Sequence, residues 1–333
     1  MHLASEWVSP ITGGMMMAVS AGAVVYSAVK LKEKGMDDQQ IGLMGAAGAF
    51  VFASQMVDVA IPFTGSSGHI GGGLLLAALL GPHGAFLALT AVLLVQAFVF
   101  SDGGLMALGC NIFNMGICTC YIAYPLIFKP ILKKRLTYGR IGLASILASV
   151  AGLQLGAFAV ALETKASNLN TLPFLDFVSK MQPIHLAIGL MEGLIMAGVL
   201  TIVYATTPQI IENPLLGKTI SAYRTRQASI GFLLWAAIIG GGFSLLASDL
   251  PDGLEWAIKQ SSVGPAAAGT WLHSALEGMQ SKMAFMADYG FAGGGEALGT
   301  IASGAVGIFL TLLIIVVTTG FIGMGSLKNG IKE

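Results

Sequence analysis

The sequence has 333 residues, of which 55% are hydrophobic and 10% are charged, against about 25% charged residues in an ordinary soluble domain. Seventeen basic and seventeen acidic side chains leave no net charge, so the chain lacks the basic surface of a nucleic-acid-binding protein. Several apolar runs approach or exceed the roughly 18 to 20 residues that a helix needs to cross hydrocarbon. The composition predicts an all-α integral membrane protein with the lipid bilayer as its surroundings, and it excludes nucleic acid as a partner.

The first residues, MHLASEWVSP, contain an arrangement that can bind a metal. No charged leader or long apolar run precedes them, so we expect no cleaved signal peptide, and the bulky His2 predicts that Met1 is retained. The free amine of Met1, the backbone nitrogen of residue 2 and the Nδ1 of His2 can then bind one ion in two fused chelate rings. The alternative is that His2 belongs to a flexible end without a function.

Hydropathy and helix-breaking residues predict nine apolar segments. The first seven would form a bundle of about seven transmembrane segments, and the last two would form a two-helix module with a large outer loop. The segments lie at about 12–30, 39–60, 69–82, 85–101, 105–128, 139–162, 184–206, 227–247 and 301–324.

The basic residues predict the orientation of the chain in the membrane. If the amino terminus lies outside, only four of the seventeen Lys and Arg residues would face outward, and the others would lie in cytoplasmic loops. The four are Lys165, Lys180, Lys259 and Lys282. Since basic residues accumulate on the cytoplasmic side, we expect the amino terminus outside and the carboxyl terminus in the cytoplasm.

The third segment is too short to be a complete lipid-facing helix. It begins FTGSSGHIGGG and soon reaches GPHG, and irregular backbone at membrane depth is tolerated only where it lines a pocket or cavity. Its histidine, His69, would lie on the outer side with Met1 and His2 and could close the chelate plane, although a hydrogen-bonded loop histidine is the alternative. Four nitrogen donors in a plane suit Ni²⁺ and Cu²⁺ rather than the tetrahedral Zn²⁺. The motif therefore favours Ni²⁺, with Co²⁺ as a close competitor.

A polar, basic stretch divides the chain. It reads PQIIENPLLGKTISAYRTRQ and predicts three parts: a membrane domain over 1–206, a cytoplasmic linker over 207–226 and a two-helix module over 227–333. Part of it, NPLLGKT, ends like a phosphate-binding loop but has Glu212 in place of the leading glycine. We therefore expect no nucleotide binding by this chain.

Four ionisable residues at or within the predicted segments are candidates for the surroundings of the metal or for its access path. His185 and Glu192 lie seven residues apart and share one helix face, and an ionisable group inside a membrane span requires a partner. A hydrogen bond between helices is the alternative for both. Asp58 and Asp102, near the outer ends of two segments, could attract cations or could be solvated helix-end carboxylates.

Four stretches resemble the substrate-capturing component of the energy-coupling-factor nickel and cobalt importers, the CbiM/NikM family. They are MHLASEWVSP, SGHIGGGLLLAALLGP, FSDGGLMALGCNIFNMG and HLAIGLMEGLIMA, within roughly residues 1–206. The stretch DLPDGLEW, with its flanking apolar segments, is similar to the two-helix PDGLE companion of these importers. The chain therefore resembles a fusion of the two proteins.

The resemblance implies a metal site and a set of partners. The ligands would be Met1 through its amine, His2 through backbone and imidazole nitrogens, and His69. The transported ion would be Ni²⁺ or, next, Co²⁺, and neither a resident cofactor nor a catalytic residue is implied. Separate ATPase subunits and a coupling transmembrane subunit would supply the energy, and the chain would lie in the plasma (inner) membrane of a prokaryote.

Two other functions remain as alternatives to an ATP-driven importer subunit. A proton-coupled secondary carrier would need several ionisable residues within its spans and often internal repeats, for which Glu192 alone is little support. A membrane metalloenzyme would need a general base and an open metal position, and the sequence contains no HExxH arrangement.

Overall fold

A computed structural model describes residues 2–36, 38–169, 172–216, 222–261, 269–291 and 295–327. Met1 and the segment 217–221 of the predicted linker lie outside the described residues. Apart from one small hairpin, the regular structure in the described ranges is helical. The α-helices and β-strands are α1 (Pro10–Lys34), α2 (Asp38–Gln55), β1 (Val59–Ile61), β2 (Ser66–Gly68), α3 (Gly73–Val95), α4 (Leu108–Asn111), α5 (Lys129–Lys134), α6 (Tyr138–Ser167), α7 (Phe174–Thr206), α8 (Gln209–Leu216), α9 (Ala222–Gly241), α10 (Gly253–Gln260), α11 (Trp271–Met283) and α12 (Glu296–Leu327).

Helical segments of other types connect or extend these elements. Wide π-helical turns continue α3 through Gln96–Phe100 and connect α4 to α5 through Ile112–Phe128. Tight 3₁₀ turns cover Ser5–Trp7, Phe243–Leu246 and Ala287–Tyr289. In the described residues, β1 and β2 pair antiparallel, with Val59 opposite Gly68.

Six of the described helices are long and apolar enough to cross a membrane, which confirms the all-α membrane class. They span Pro10–Lys34, Gly73–Phe100, Leu108–Lys134, Tyr138–Ser167, Phe174–Thr206 and Glu296–Ile322. The predicted segments at 39–60 and 227–247 correspond to α2 and α9, which are not among the six because their mean hydropathy is too low. Helix α2 is rich in small and polar residues, and α9 begins with the polar stretch AYRTRQAS. The chain is therefore a multi-pass membrane protein.

Helix α3 reverses direction near its middle. Gly81 has φ 74° and ψ 172°, a conformation that glycine adopts at little cost, and Pro82 then suits the first turn of a new helix. A straight helix over residues 73–100 would be about 42 Å long, yet His69 before it and Asp102 after it both contact His2. The short third segment and its return are thus two limbs of one folded unit.

Glycines allow close helix packing in two places. A Cβ on Gly193 of α7 would lie 2.6 Å from the Cα of Ile146 in α6, so these long helices approach backbone to backbone, as small residues permit in lipid. At the other side of the bundle, a Cβ on Gly48 of α2 would lie 2.4 Å from the Cδ1 of Ile315 in α12. Through α2, the last long helix packs directly against the main bundle.

Candidate metal site

The described start of the chain, from His2 to Val8, packs against the bundle. Leu3 and Val8 have no exposed surface. The Leu3 N–H donates to the Oδ1 of Asn111 at 2.8 Å, and the Nδ2 of Asn111 donates back to the Leu3 carbonyl at 3.2 Å. The Gly104 N–H donates to the same carbonyl at 3.0 Å, and these bonds carry His2 into the interior.

The structure brings His2 and His69, two of the expected ligands, together. Their imidazole rings stack with centroids 5.2 Å apart and planes 21° from parallel. The Nδ1 of His69 lies 3.0 Å from the carbonyl of Ile70, and because a carbonyl only accepts, Nδ1 carries the hydrogen and Nε2 carries the lone pair. Burial, with the charge of His2 as a further cause, lowers the pKa of His69 to about 3.

Asp102 bonds directly to His2. One of its oxygens, Oδ1, lies 2.7 Å from the Nδ1 of His2, and the other accepts from the hydroxyl of Tyr289 at 2.6 Å. Burial alone would raise the pKa of this carboxyl, but the His2 imidazole and the Tyr289 hydroxyl hold it well below its usual range. The Nε2 of His2 is buried and has no hydrogen-bond partner among the described residues.

The two buried residues of α7 that the sequence singled out, Glu192 and His185, lie next to the segment that carries His69. Glu192 is buried, and its Oε1 accepts from the N–H of Gly72 at 3.1 Å, which fixes the glycine-rich stretch after His69. His185 is equally buried, and its Nδ1 donates to the carbonyl of Met181 in its own helix at 2.8 Å. The partner of Glu192 is therefore backbone beside His69.

Asp58 lies at the start of the β1–β2 hairpin. Its backbone carbonyl accepts from the N–H of Ser248 at 2.9 Å, while its Oδ1 is buried and has no hydrogen-bond partner in the described part of the chain. Burial is the main reason that the pKa of this carboxyl rises to about 6. Asp58 is thus a half-buried carboxyl close enough to His2 for their charges to interact, and it is not a solvated helix end.

Among the described side chains, the imidazoles of His2 and His69 are the candidate metal ligands. Within the described residues, no group of three or more His, Cys, Asp or Glu side chains is arranged to hold an ion. A cavity of about 30 Å³, large enough for a single water molecule, borders His69. Its lining also includes Asn114, His185 and Asp252.

Comparison with known proteins identifies the two parts of the chain. Residues 2–210 match the family model CbiM, described as cobalt uptake substrate-specific transmembrane region. The chain belongs to the CbiM family. Residues 226–323 match the PDGLE domain, so the predicted fusion is confirmed; we refer to these ranges as the CbiM region and the PDGLE region.

Relatives and solved structures agree with this assignment. The "Probable fused nickel transport protein LarMN" of Lactiplantibacillus plantarum is 29% identical over 95% of this chain and 96% of its own length. The fused nickel transport protein NikMN of Rhodobacter capsulatus is 27% identical over 80% of this chain and 79% of its own. A crystal structure of a truncated transition metal transporter superposes with a TM-score of 0.53 at 30% identity, covering 62% of this chain and 98% of that one. The family and its relatives are metal transport proteins, not enzymes.

The PDGLE region reaches the candidate metal site through the stretch that gives it its name. The Ser67 N–H donates to the carbonyl of Pro251 at 2.8 Å, and the Ser67 hydroxyl donates to the carbonyl of Leu250 at 2.6 Å. Asp252 caps α10 by accepting from the Glu255 N–H at 2.8 Å, and it lines the same small cavity as His69. The PDGLE stretch therefore packs onto the hairpin that leads to His69.

Sequence reasoning missed Asp252 and Tyr289 as neighbours of the site. The residues DGLE carry a helix-start signal, because an Asp is followed three residues later by a Glu, but this signal says nothing about which surface the helix meets. Tyr289 lies 187 residues from Asp102 in the sequence and belongs to no recognisable motif.

Proposed function

We propose that this chain is the substrate-binding membrane subunit of an ATP-driven energy-coupling-factor importer for Ni²⁺, with Co²⁺ as the second candidate. The observation that supports this most strongly is the stacked pair of His2 and His69, 5.2 Å apart, on a buried amino-terminal segment. Imidazole nitrogens suit both ions. The proposed function also rests on membership of the CbiM family and on nickel-transporting relatives.

The proposed ligands are the Met1 amine, the backbone nitrogen and Nδ1 of His2, and the Nε2 of His69. The Ile70 carbonyl behind His69 is the kind of partner that metal-binding histidines commonly have. Because Nδ1 of His2 here bonds to Asp102, we expect the imidazole to turn on loading, so that Nδ1 faces the ion and Nε2–H takes over the carboxylate. We assign Asp102 and Glu192 to support of the two histidines, and Asp58 and His185 to the access path.

The remaining parts of the proposal concern the surroundings. ATPase subunits and a coupling transmembrane subunit would bind on the cytoplasmic side, with the amino terminus outside and the carboxyl terminus inside a prokaryotic plasma membrane. The asymmetry of basic residues supports this orientation. We further propose that residues 1–206 form the metal-capturing domain, 207–226 a cytoplasmic linker and 227–333 the companion module.

The test is the Ni²⁺ content of the purified full-length chain with its native amino terminus. We expect bound Ni²⁺ in the wild type and its loss in His69→Ala and in a chain with a Gly-Ser extension before Met1, because the extension removes the free amine from the chelate. His83→Ala serves as the control, since His83 bonds to Tyr121 rather than to the site. Unchanged metal content in either site variant would contradict the proposal.

A further inference from the structure

The loop that carries Asp102 is held by the PDGLE region. The side chain of Gln280, on α11, donates through Nε2 to the carbonyl of Ala97 at 2.9 Å and to that of Gly103 at 2.8 Å. The Met286 N–H donates to the carbonyl of Val99 at 3.2 Å. These three bonds fix the backbone on both sides of Asp102.

Tyr289 fixes the side chain of Asp102 itself. Its hydroxyl donates to the Oδ2 of Asp102 at 2.6 Å, and its ring stacks on Phe100 with centroids 4.7 Å apart and planes 13° from parallel. Asp288 and Tyr289 have φ angles of 52° and 56°, a left-handed conformation that costs energy in residues other than glycine. Such a backbone persists where surrounding contacts hold it, and here it places the hydroxyl on the carboxylate.

The other oxygen of Asp102 bonds to the imidazole of His2 at 2.7 Å. A carboxylate that accepts from one ring nitrogen fixes the orientation of a metal-binding histidine and strengthens the other nitrogen as a donor. This role does not depend on which of the two ring nitrogens faces the carboxylate. A chain of two hydrogen bonds therefore leads from the PDGLE region to a proposed metal ligand in the CbiM region.

We infer that Tyr289 is a positioning residue for metal capture: it holds the Asp102 carboxylate, and this carboxylate orients the His2 imidazole by accepting from Nε2–H once Nδ1 has turned to the transported ion. The inference rests on the proposed function, because it takes His2 as a ligand. It gives the PDGLE region a defined chemical task at the site, namely the support of one ligand through one carboxylate.

The test is the affinity for Ni²⁺ of the full-length chain in lipid nanodiscs, measured in competition with a chromophoric chelator. We expect Tyr289→Phe, which keeps the ring on Phe100 and removes the hydroxyl, to raise the Kd about five- to tenfold, at or just below the range for loss of a group that supports a metal ligand. At saturating Ni²⁺ the ligand-field absorption band should shift, because a tilted imidazole changes the field at the metal. Tyr138→Phe, at an exposed tyrosine at the start of α6, is the matched control and should bind as the wild type does.

A double-mutant cycle tests whether Tyr289 acts through Asp102. In an Asp102→Asn background, Tyr289→Phe should change the Kd less than twofold. A Tyr289→Phe chain with wild-type Kd and spectrum would overturn the inference, and so would an equal loss in both backgrounds. If His69→Ala, measured in parallel, also bound Ni²⁺ normally, the proposed function would fail as well, so the two failures are distinguishable.

Discussion

Asn111 acts on the amino-terminal segment as a neighbouring strand would. Its amide accepts from the Leu3 N–H and donates to the Leu3 carbonyl, so both backbone groups of the residue after His2 are satisfied in a buried environment. Leaving such groups unpaired costs about 1 to 3 kcal/mol each. One side chain thus contributes two of the hydrogen bonds that keep His2 near His69.

Asn111→Asp should weaken Ni²⁺ binding by about tenfold. The new carboxylate still accepts from the Leu3 N–H, but it places an oxygen against the Leu3 carbonyl, where the Asn111 amide donates a hydrogen bond. Loss of a buried hydrogen bond worth about 1.4 kcal/mol corresponds to a tenfold change in Kd. Titration with Ni²⁺ measures the effect. Asn168→Asp is the control, because Asn168 is an exposed helix C-cap with φ 49°, where Asp is tolerated; equal binding by both variants would contradict the prediction.

The nitrogen donors also predict how metal binding depends on pH. Since the pKa of His69 is about 3, its imidazole stays deprotonated in mildly acidic solution and does not lose the metal to protons there. The proposed Met1 amine has an ordinary pKa of about 8 and binds only when unprotonated. Bound Ni²⁺ should therefore fall as the pH is lowered from about 8 to about 5, in dialysis at constant free Ni²⁺. A flat profile would argue against the amine as a ligand.

At the residue scale the sequence singles out the two histidines and, as candidates for their surroundings, Asp102 and Glu192, but it misses the roles of Asn111 and Tyr289. His2 and His69 could be predicted as neighbours from local sequence. The chelating groups of His2 follow from its position after Met1, and the hydropathy pattern places His69 on the same side of the membrane. The bonds from Asn111 to Leu3 and from Tyr289 to Asp102 join residues 108 and 187 positions apart. They depend on how helices pack, which no local pattern encodes.

At the scale of elements, the loop after the Gln96–Phe100 turn and the amino-terminal segment approach each other closely. A Cβ on Gly104 would lie 2.1 Å from the backbone nitrogen of Ser5 and 2.7 Å from its Cα. Because these are backbone atoms, no change of rotamer could relieve the overlap. Only glycine lets this loop lie directly on the segment that carries His2.

Gly104→Ala should displace the amino-terminal segment and reduce Ni²⁺ affinity by more than about tenfold, since a shift of a few tenths of an ångström or more at Ser5 moves His2 as well. Isothermal titration with Ni²⁺ checks this. Gly278→Ala, in the middle of α11 with open space around its Cα, is the matched control and should leave binding intact. Wild-type affinity in Gly104→Ala would show that the segment tolerates displacement.

The elements themselves follow largely from hydropathy, and the exceptions have physical causes. The sequence GPHG predicts that the third segment is short and that the chain turns back after it. Gly81 and Pro82 form this turn within α3. Helix α7 begins at Phe174, about ten residues before the predicted segment, because its first turns are polar enough to end a hydropathy window. Helix α2 is nearly all buried by neighbours, so its membrane position depends on packing more than on its own hydropathy.

At the scale of the whole molecule, the proposed division of labour separates binding from transport. Reconstituted alone into vesicles, the chain should bind radioactive Ni²⁺ without accumulating it, because its NPLLGKT stretch has Glu212 in place of the leading glycine of a phosphate-binding loop and is not expected to bind ATP. Accumulation should require ATPase and coupling subunits together with ATP. The comparison that matters is an imposed pH gradient without those partners: uptake under that condition would favour a proton-coupled carrier instead.

The covalent link between the CbiM and PDGLE regions raises the fraction of molecules in which the two regions are in contact. Two separate membrane proteins would hold Pro251 against Ser67 only while both are abundant, whereas segments of one polypeptide meet at an effective concentration on the order of millimolar. Each copy therefore carries its own tyrosine for Asp102 in a fixed one-to-one ratio. Even in a cell that makes only a few of these molecules, every copy would have Tyr289 available to bond to Asp102.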